Sequence, residues 1–299
     1  MILQLCQFNF KAMGSPCEIR LYAENAEIAA QVIAKAVAEI NRLEQKYSRY
    51  KRDNFLFRVN SAAKLGGSCE IDDEFVSLLN FADTCYEQSE GLFDITSGVL
   101  REVWNFDKHE KPAPKLLQET LNRVGWKNVS WTANGISFSK AGMELDFGGI
   151  VKEYAADCAA TVCADAGITH GIVNLGGDIK AIGPHPDGKP WAVKVRHPRI
   201  AGESLASIEL TNGALASSGD YERFIEIDGE RYCHILSPKT GWPVKGLAAV
   251  SVTGPQCIVA GSACTIAMLR ESEGKSWLSE LGLPHLWMDS DGVTNINLG

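Results

Sequence analysis

The sequence lacks the short signatures by which nucleotide-binding folds and hydrolases are most easily read. It has no Gly-x-Gly-x-x-Gly after a strand, no Gly-x-x-x-x-Gly-Lys-(Ser/Thr), no His-Glu-x-x-His and no Gly-x-Ser-x-Gly. Positive charge is also in deficit: 29 Lys and Arg stand against 37 Asp and Glu, a formal net charge of −8. Without a basic run to release counterions from phosphates, nucleic acid and anionic lipid are poor partners. No apolar run reaches the roughly 18 residues that a membrane span requires. None of the nine cysteines (Cys6, Cys17, Cys69, Cys85, Cys158, Cys163, Cys233, Cys257, Cys264) stands at Cys-x-x-Cys spacing, and their number is odd. That excludes a disulfide framework or zinc cage and points to a reducing compartment. The opening Met1-Ile-Leu-Gln-Leu-Cys6 superficially matches a lipoprotein cleavage site, but no basic or long apolar segment precedes the cysteine. A cytoplasmic location is the expectation.

What is present is ordinary globular composition, 45% hydrophobic and 22% charged over 299 residues. A long amphipathic helix is expected after Asn25, its buried face carried by Ile28, Val32, Ala36, Ile40, Leu43 and Tyr47. A second is expected after Asp72, with Phe75, Leu78, Leu79, Ala82 and Cys85 inward. Others are expected over 115–124 and 150–166, and a last one over 258–270. Strands are expected over 18–22, 171–175, 191–196, 207–210, 223–227, 231–236 and 248–253, with Asp228-Gly229 turning a hairpin. Helices early and antiparallel strands later predict an α+β fold, one compact domain over residues 1–299.

The loops hold four glycine-bearing clusters: Glu90–Gly98, Leu145–Asp157, Asn174–Asp178, and Ser217–Tyr221 with His234–Gly241. In the second, two glycines lead straight into a helix whose first turns carry Lys152; free N–H groups, a dipole end and a cation suit a phosphate. Each piece also has a plainer reading. A Gly-Gly pair makes a turn, Asp146 an N-cap, Lys152 a solvated charge, His234 a core or surface histidine.

Together, these segments resemble the ApbE family of FAD:protein FMN transferases. The similarity runs through Met13-Gly-Ser15, Ser48-Arg-Tyr50, Phe57-Arg-Val-Asn60, Gly91-Leu-Phe-Asp94, Trp104-Asn-Phe106, Asp146-Phe-Gly-Gly-Ile-Val-Lys152, Asn174-Leu-Gly-Gly-Asp178, Ser217-Ser-Gly-Asp-Tyr221, His234-Ile-Leu236 and Pro238-Lys-Thr-Gly241, in that order. The resemblance implies a T-fold-related α+β domain with antiparallel sheets and packed helices. It implies an enzyme that binds FAD, cleaves its diphosphate with Mg²⁺, and transfers FMN to a Thr or Ser hydroxyl of an acceptor protein, such as a redox-pump subunit, releasing AMP. By position, FAD would meet Met13, Tyr50, Leu92, Phe93, Asp94, Asp146, Lys152 and Leu236. His234 would be the catalytic base, and the Gly149 carbonyl and Thr265 would hold the metal.

Two positions depart from the family pattern. The segment Ala260-Gly-Ser-Ala-Cys-Thr265 keeps the threonine but has Gly261 where the resemblance implies a metal-binding aspartate, and Ser237 stands where an aspartate follows His-Ile-Leu. Mg²⁺ commonly relies on one or two carboxylates beside phosphate oxygens. Gly261 therefore leaves three readings open: a transferase whose metal is held by Thr265, Gly149, Ser262, water and substrate, a flavin-binding protein with weak or no transfer, or an ApbE-like domain that binds neither well and acts as a structural partner. On the sequence alone, Gly261→Asp is expected to raise activity.

Overall fold

The computed structural model describes residues 2–106 and 110–298. The chain opens with a hairpin, β1 (Gln4–Ala12) and β2 (Ser15–Ala23), closed by Met13-Gly14. Both turn residues have positive φ, +50° and +76°, as the tight turn between twisted strands requires. There follow α1 (Ala26–Tyr47), α2 (Phe55–Leu65), β3 (Ser68–Glu70), α3 (Asp73–Gln88), a 3-10 segment (Ile95–Glu102) and α4 (Pro114–Leu121). Next come β4 (Val129–Trp131), β5 (Gly135–Phe138), α5 (Val151–Asp165), β6 (Gly171–Leu175), β7 (Asp178–Gly183), β8 (Trp191–Arg196) and β9 (Ser204–Leu210). The chain then runs through β10 (Ala214–Gly219), β11 (Phe224–Ile227), β12 (Glu230–Cys233), β13 (Leu247–Gly254), α6 (Cys257–Leu269), α7 (Gly274–Leu281), β14 (His285–Asp289) and β15 (Thr294–Asn297).

The main sheet has the order β1-β2-β6-β7-β10-β13-β14-β15, with every neighbouring pair antiparallel. Side chains alternate across it. Val173, Leu175, Ala214, Ala216, Val250 and Val252 face a core shared with α1, α5 and α6. Ile172, Ile179, Leu215 and Leu286 face the other way, under the β8–β9 hairpin with its Trp191, Val193 and Ile208. A smaller core of Leu100, Trp104, Leu117, Ile225 and Tyr232 joins the 3-10 segment and α4 to the β11–β12 hairpin. The fold is therefore α+β, as expected.

Several local expectations hold. The Asn25 side chain accepts from Ile28 N at 2.9 Å and Asp72 from Phe75 N at 2.9 Å, so both N-caps stand. Asp228 and Gly229 both have positive φ and turn the β11–β12 hairpin. Three expectations need correction. Ile28 lies on the exposed side of α1, because Ala29 and Ile33 hold the buried stripe instead. The helix over 258–270 is not the last helix, since α7 follows. Ser217–Gly219 is no loop but the end of β10, paired to β13.

α6 is apolar on every side and buried all round, the signature of a helix inside the core. Its first N–H groups have no cap of their own. Asp157 on α5 supplies one, accepting from Cys257 N at 2.9 Å and Ile258 N at 3.0 Å. This cross-helix cap fixes how far α6 slides along α5, and hence what faces Gly261 and Thr265.

Candidate active site

The segment 145–153 is the centre. Asp146 N donates to Ile95 O at 2.8 Å, and the Asp146 side chain accepts from Gly148 N at 2.9 Å, which folds the two glycines into the start of α5. Gly98 must be bare here, since a Cβ on it would lie 2.5 Å from Asp146 Cβ. The other Asp146 oxygen takes an ion pair from Arg49, a residue of the segment after α1. Burial works against the Arg49 charge, but Asp146, Tyr50 and Glu144 together more than offset it, so the guanidinium pKa is raised. Arg49 also donates to Tyr50 Oη at 3.0 Å. Burial alone would raise the Tyr50 pKa, but hydrogen bonds from Arg49 and Arg223 lower it.

Arg223 connects this side to the β11–β12 hairpin. Its carbonyl accepts from His234 N at 2.9 Å and lies 3.2 Å from His234 Nδ1. A carbonyl only accepts, so Nδ1 carries the hydrogen and Nε2 keeps its lone pair. The ring is solvent-accessible yet has dense protein on its other sides, and this desolvation, with help from the Arg223 and Lys152 charges, lowers its pKa from 6.5. His234 lies just past the end of β12 rather than within a strand.

Lys152, in the first turn of α5, meets Asp178 Oδ2 at 2.7 Å. Burial works against its charge, but Asp178 and Glu153 more than compensate and hold the ammonium well above the ordinary lysine range. Asp178 closes the β6–β7 turn, where Gly176 and Gly177 both have positive φ. Its Oδ1 accepts from Ser217 N at 3.2 Å. Gly176 packs against Ser15 of the first hairpin, and a Cβ there would also come within 3.9 Å of Lys152 Nζ. The half-buried Met13 is thus carried to the same neighbourhood.

Gly149 lies against the Phe93 ring and the Thr265 methyl, 3.6 and 4.0 Å from where its Cβ would be. Thr265 is one helical turn beyond Gly261 on α6, so the two share a face. Asp146, Lys152, His234 and Thr265 therefore belong to one continuous strip of structure, Met13 at one end and His234 at the other.

Other expected residues are placed differently. Asp94 is committed internally: Oδ1 accepts from Thr96 N at 2.8 Å and Thr96 Oγ1 at 2.6 Å, and Oδ2 from Trp126 N at 3.1 Å. It caps the 3-10 segment, and its burial raises its pKa. Phe93 is buried in the main core, while Leu92 is half-buried at its edge. Leu236 packs on the smaller core, beside the hairpin that carries His234. Ser262, an expected ligand, is buried near Cys85, and its hydroxyl has no hydrogen-bond partner among the described residues. Ser237 caps the turn to Gly241, its hydroxyl 3.3 Å from Lys239 N and 3.4 Å from Thr240 N. The sequence reading did not single out Arg49, Asp178 or Glu153, although all three stood inside quoted segments.

An α+β scaffold that gathers basic side chains, bare backbone and an accessible histidine along one strip offers the donors that a phosphorylated ligand requires. The comparisons narrow this. The ApbE family model matches residues 13–287, so the chain belongs to the ApbE family. A FAD:protein FMN transferase of Haemophilus influenzae is 30% identical over 269 residues, 85% of this chain and 78% of that protein. One from Treponema pallidum is 30% identical over 295 residues, covering 88% and 80%. The crystal structure of the ApbE protein from Thermotoga maritima superposes with a TM-score of 0.87 at 29% identity, over 98% of this chain and 97% of that one. The flavin transferase ApbE of Vibrio cholerae, 23% identical, shares the fold at a TM-score of 0.87 over 99% and 98% of the two chains.

Proposed function

We propose that the protein is an FAD:protein FMN transferase, moving FMN from FAD to a Thr or Ser hydroxyl of an acceptor protein with release of AMP. The observation that carries this reading is the convergence of Asp146, Lys152, His234 and Thr265 on one strip, bounded by the Met13 turn and the Arg49–Tyr50 segment. The relatives' shared name supports it.

In this reading the diphosphate lies against the start of α5, where Gly148 and Gly149 expose backbone and Lys152 adds charge. Asp178 holds the Lys152 ammonium in place without consuming its other two hydrogens. Met13, Tyr50 and Leu92 offer apolar and aromatic surface to the rings. His234 Nε2 takes the proton of the acceptor hydroxyl as the hydroxyl oxygen attacks the FMN phosphorus; the bond to the AMP phosphate breaks and AMP leaves. A depressed imidazole pKa keeps that nitrogen unprotonated at neutral pH.

A divalent cation fits the donors present. The Gly149 carbonyl, the Thr265 hydroxyl and buried carboxylate beside them are hard oxygens of the kind Mg²⁺ takes, and the buried Glu153 Oε2 has no hydrogen-bond partner. The chemistry supplied by Mg²⁺ when bound is neutralisation of charge on the diphosphate. All nine cysteines are unpaired, which supports a cytoplasmic setting and an acceptor reachable from the cytoplasm. The test is incubation with FAD, Mg²⁺ and a flavin-carrying redox-pump subunit, followed by mass spectrometry. An FMN adduct on a Thr or Ser of the subunit is expected. FAD left intact and an unmodified acceptor would refute the reading.

A further inference from the structure

Gly261 and Glu153 explain each other. A Cβ built at Gly261 would lie 2.5 Å from Glu153 Cγ and 3.0 Å from both its Cδ and Oε1. The space that a side chain on α6 would occupy is therefore filled by a side chain from α5. Glu153 is 7% exposed, its Oε2 is buried without a hydrogen-bond partner, and its carboxyl lies against that of Asp178, which is 1% exposed. Lys152 pairs with Asp178 and leaves the second acid unmatched. Two acids buried side by side with one cation between them are unfavourable unless a proton or a metal ion supplies the missing positive charge. Thr265 is one turn along α6 from Gly261, and Gly149 touches Thr265.

We propose that Glu153 supplies the carboxylate ligand of a divalent-cation site completed by Thr265, the Gly149 carbonyl and Asp178, and that Gly261 is glycine to admit it. The carboxylate reaches the site from α5 instead of α6. The cation-binding role rests on the transferase reading only for its purpose; the donors stand without it. Single restoration of an acid at position 261 does not rebuild the site, because Glu153 already fills that volume.

The experiment titrates the full-length protein with Mn²⁺, read by electron paramagnetic resonance and calorimetry, with FAD binding followed separately by flavin fluorescence. Wild type is expected to bind one Mn²⁺. Glu153→Gln should weaken it at least about tenfold, the loss that even an outer partner of a metal site brings. The exchange Glu153→Gly with Gly261→Asp should recover most of that affinity, whereas Gly261→Asp alone should not exceed wild type. Absence of Mn²⁺ binding by wild type, or unchanged affinity in Glu153→Gln, overturns the proposal. Should Glu153→Gln fail to fold, the double exchange decides: a folded double variant without Mn²⁺ binding also overturns it. Mn²⁺ binding that depends on Glu153 in a protein that ignores FAD would uphold this site while refuting the transferase reading. FAD turnover with Mn²⁺ binding indifferent to Glu153 would do the reverse.

Discussion

Gly261→Ala isolates the steric part of this account from any ligand. Carbon–carbon contacts are comfortable at about 3.5–4.0 Å, and the new methyl would start 2.5 Å from Glu153 Cγ. The contact is to the middle of a buried side chain, not to its flexible end, so relieving it requires Glu153 to move as a whole. Overpacking of this kind costs up to about 3 kcal/mol. Alanine returns about 1 kcal/mol through its better helix propensity. The net expectation is a loss of about 2 kcal/mol. With Glu153→Gly already made, the clash disappears and the same substitution should gain about 1 kcal/mol. The cycle thus predicts a coupling of about 3 kcal/mol, read from urea unfolding followed by tryptophan fluorescence, with midpoints that move at constant slope. Equal effects of Gly261→Ala in both backgrounds would refute the packing argument.

His234→Ala should abolish transfer while FAD affinity, measured by fluorescence, stays within a few-fold; a parallel loss of binding would place the ring in ligand binding. Because the His234 pKa is lowered, the base stays neutral until the pH falls below 6.5, so the acid limb of the transfer rate should lie under that value. A limb above it would contradict the geometry. Lys152→Met removes a cation that pairs with one of two buried acids and should cost about 3–5 kcal/mol in urea unfolding, an effect that a solvated surface lysine would not show. Asp157→Ala deletes the cross-helix cap on α6 and should cost about 1–2 kcal/mol; no change would mean that packing alone fixes the α5–α6 register.

Local pattern made much of the fold legible. Residues three and four apart announced α1 and α3, and Asn25 and Asp72 marked where they begin. α2 was missed because Phe57 and Leu65 point into solvent and its apolar stripe is short. β10 was read as a loop because Ala-Leu-Ala-Ser-Ser-Gly offers no β-branched residue; its place between β7 and β13 makes it a strand. In the site, order and spacing of motifs indicated Asp146, Lys152, His234 and Thr265. At Asp94 the structure adds a role that the pattern did not show, the cap of the 3-10 segment, since an acid in a glycine-bearing loop looks the same in sequence whether or not it caps a turn. Glu153 was illegible for a different reason. Nothing along the chain says that one residue of α5 presses on one residue of α6, and Gly261 read alone is only an absence.

The most direct test is a titration of FAD into the full-length protein, followed by quenching of flavin fluorescence. The account requires saturable binding that weakens when Lys152 is replaced by methionine. Fluorescence that stays at the level of free FAD into the high micromolar range would contradict it at its root.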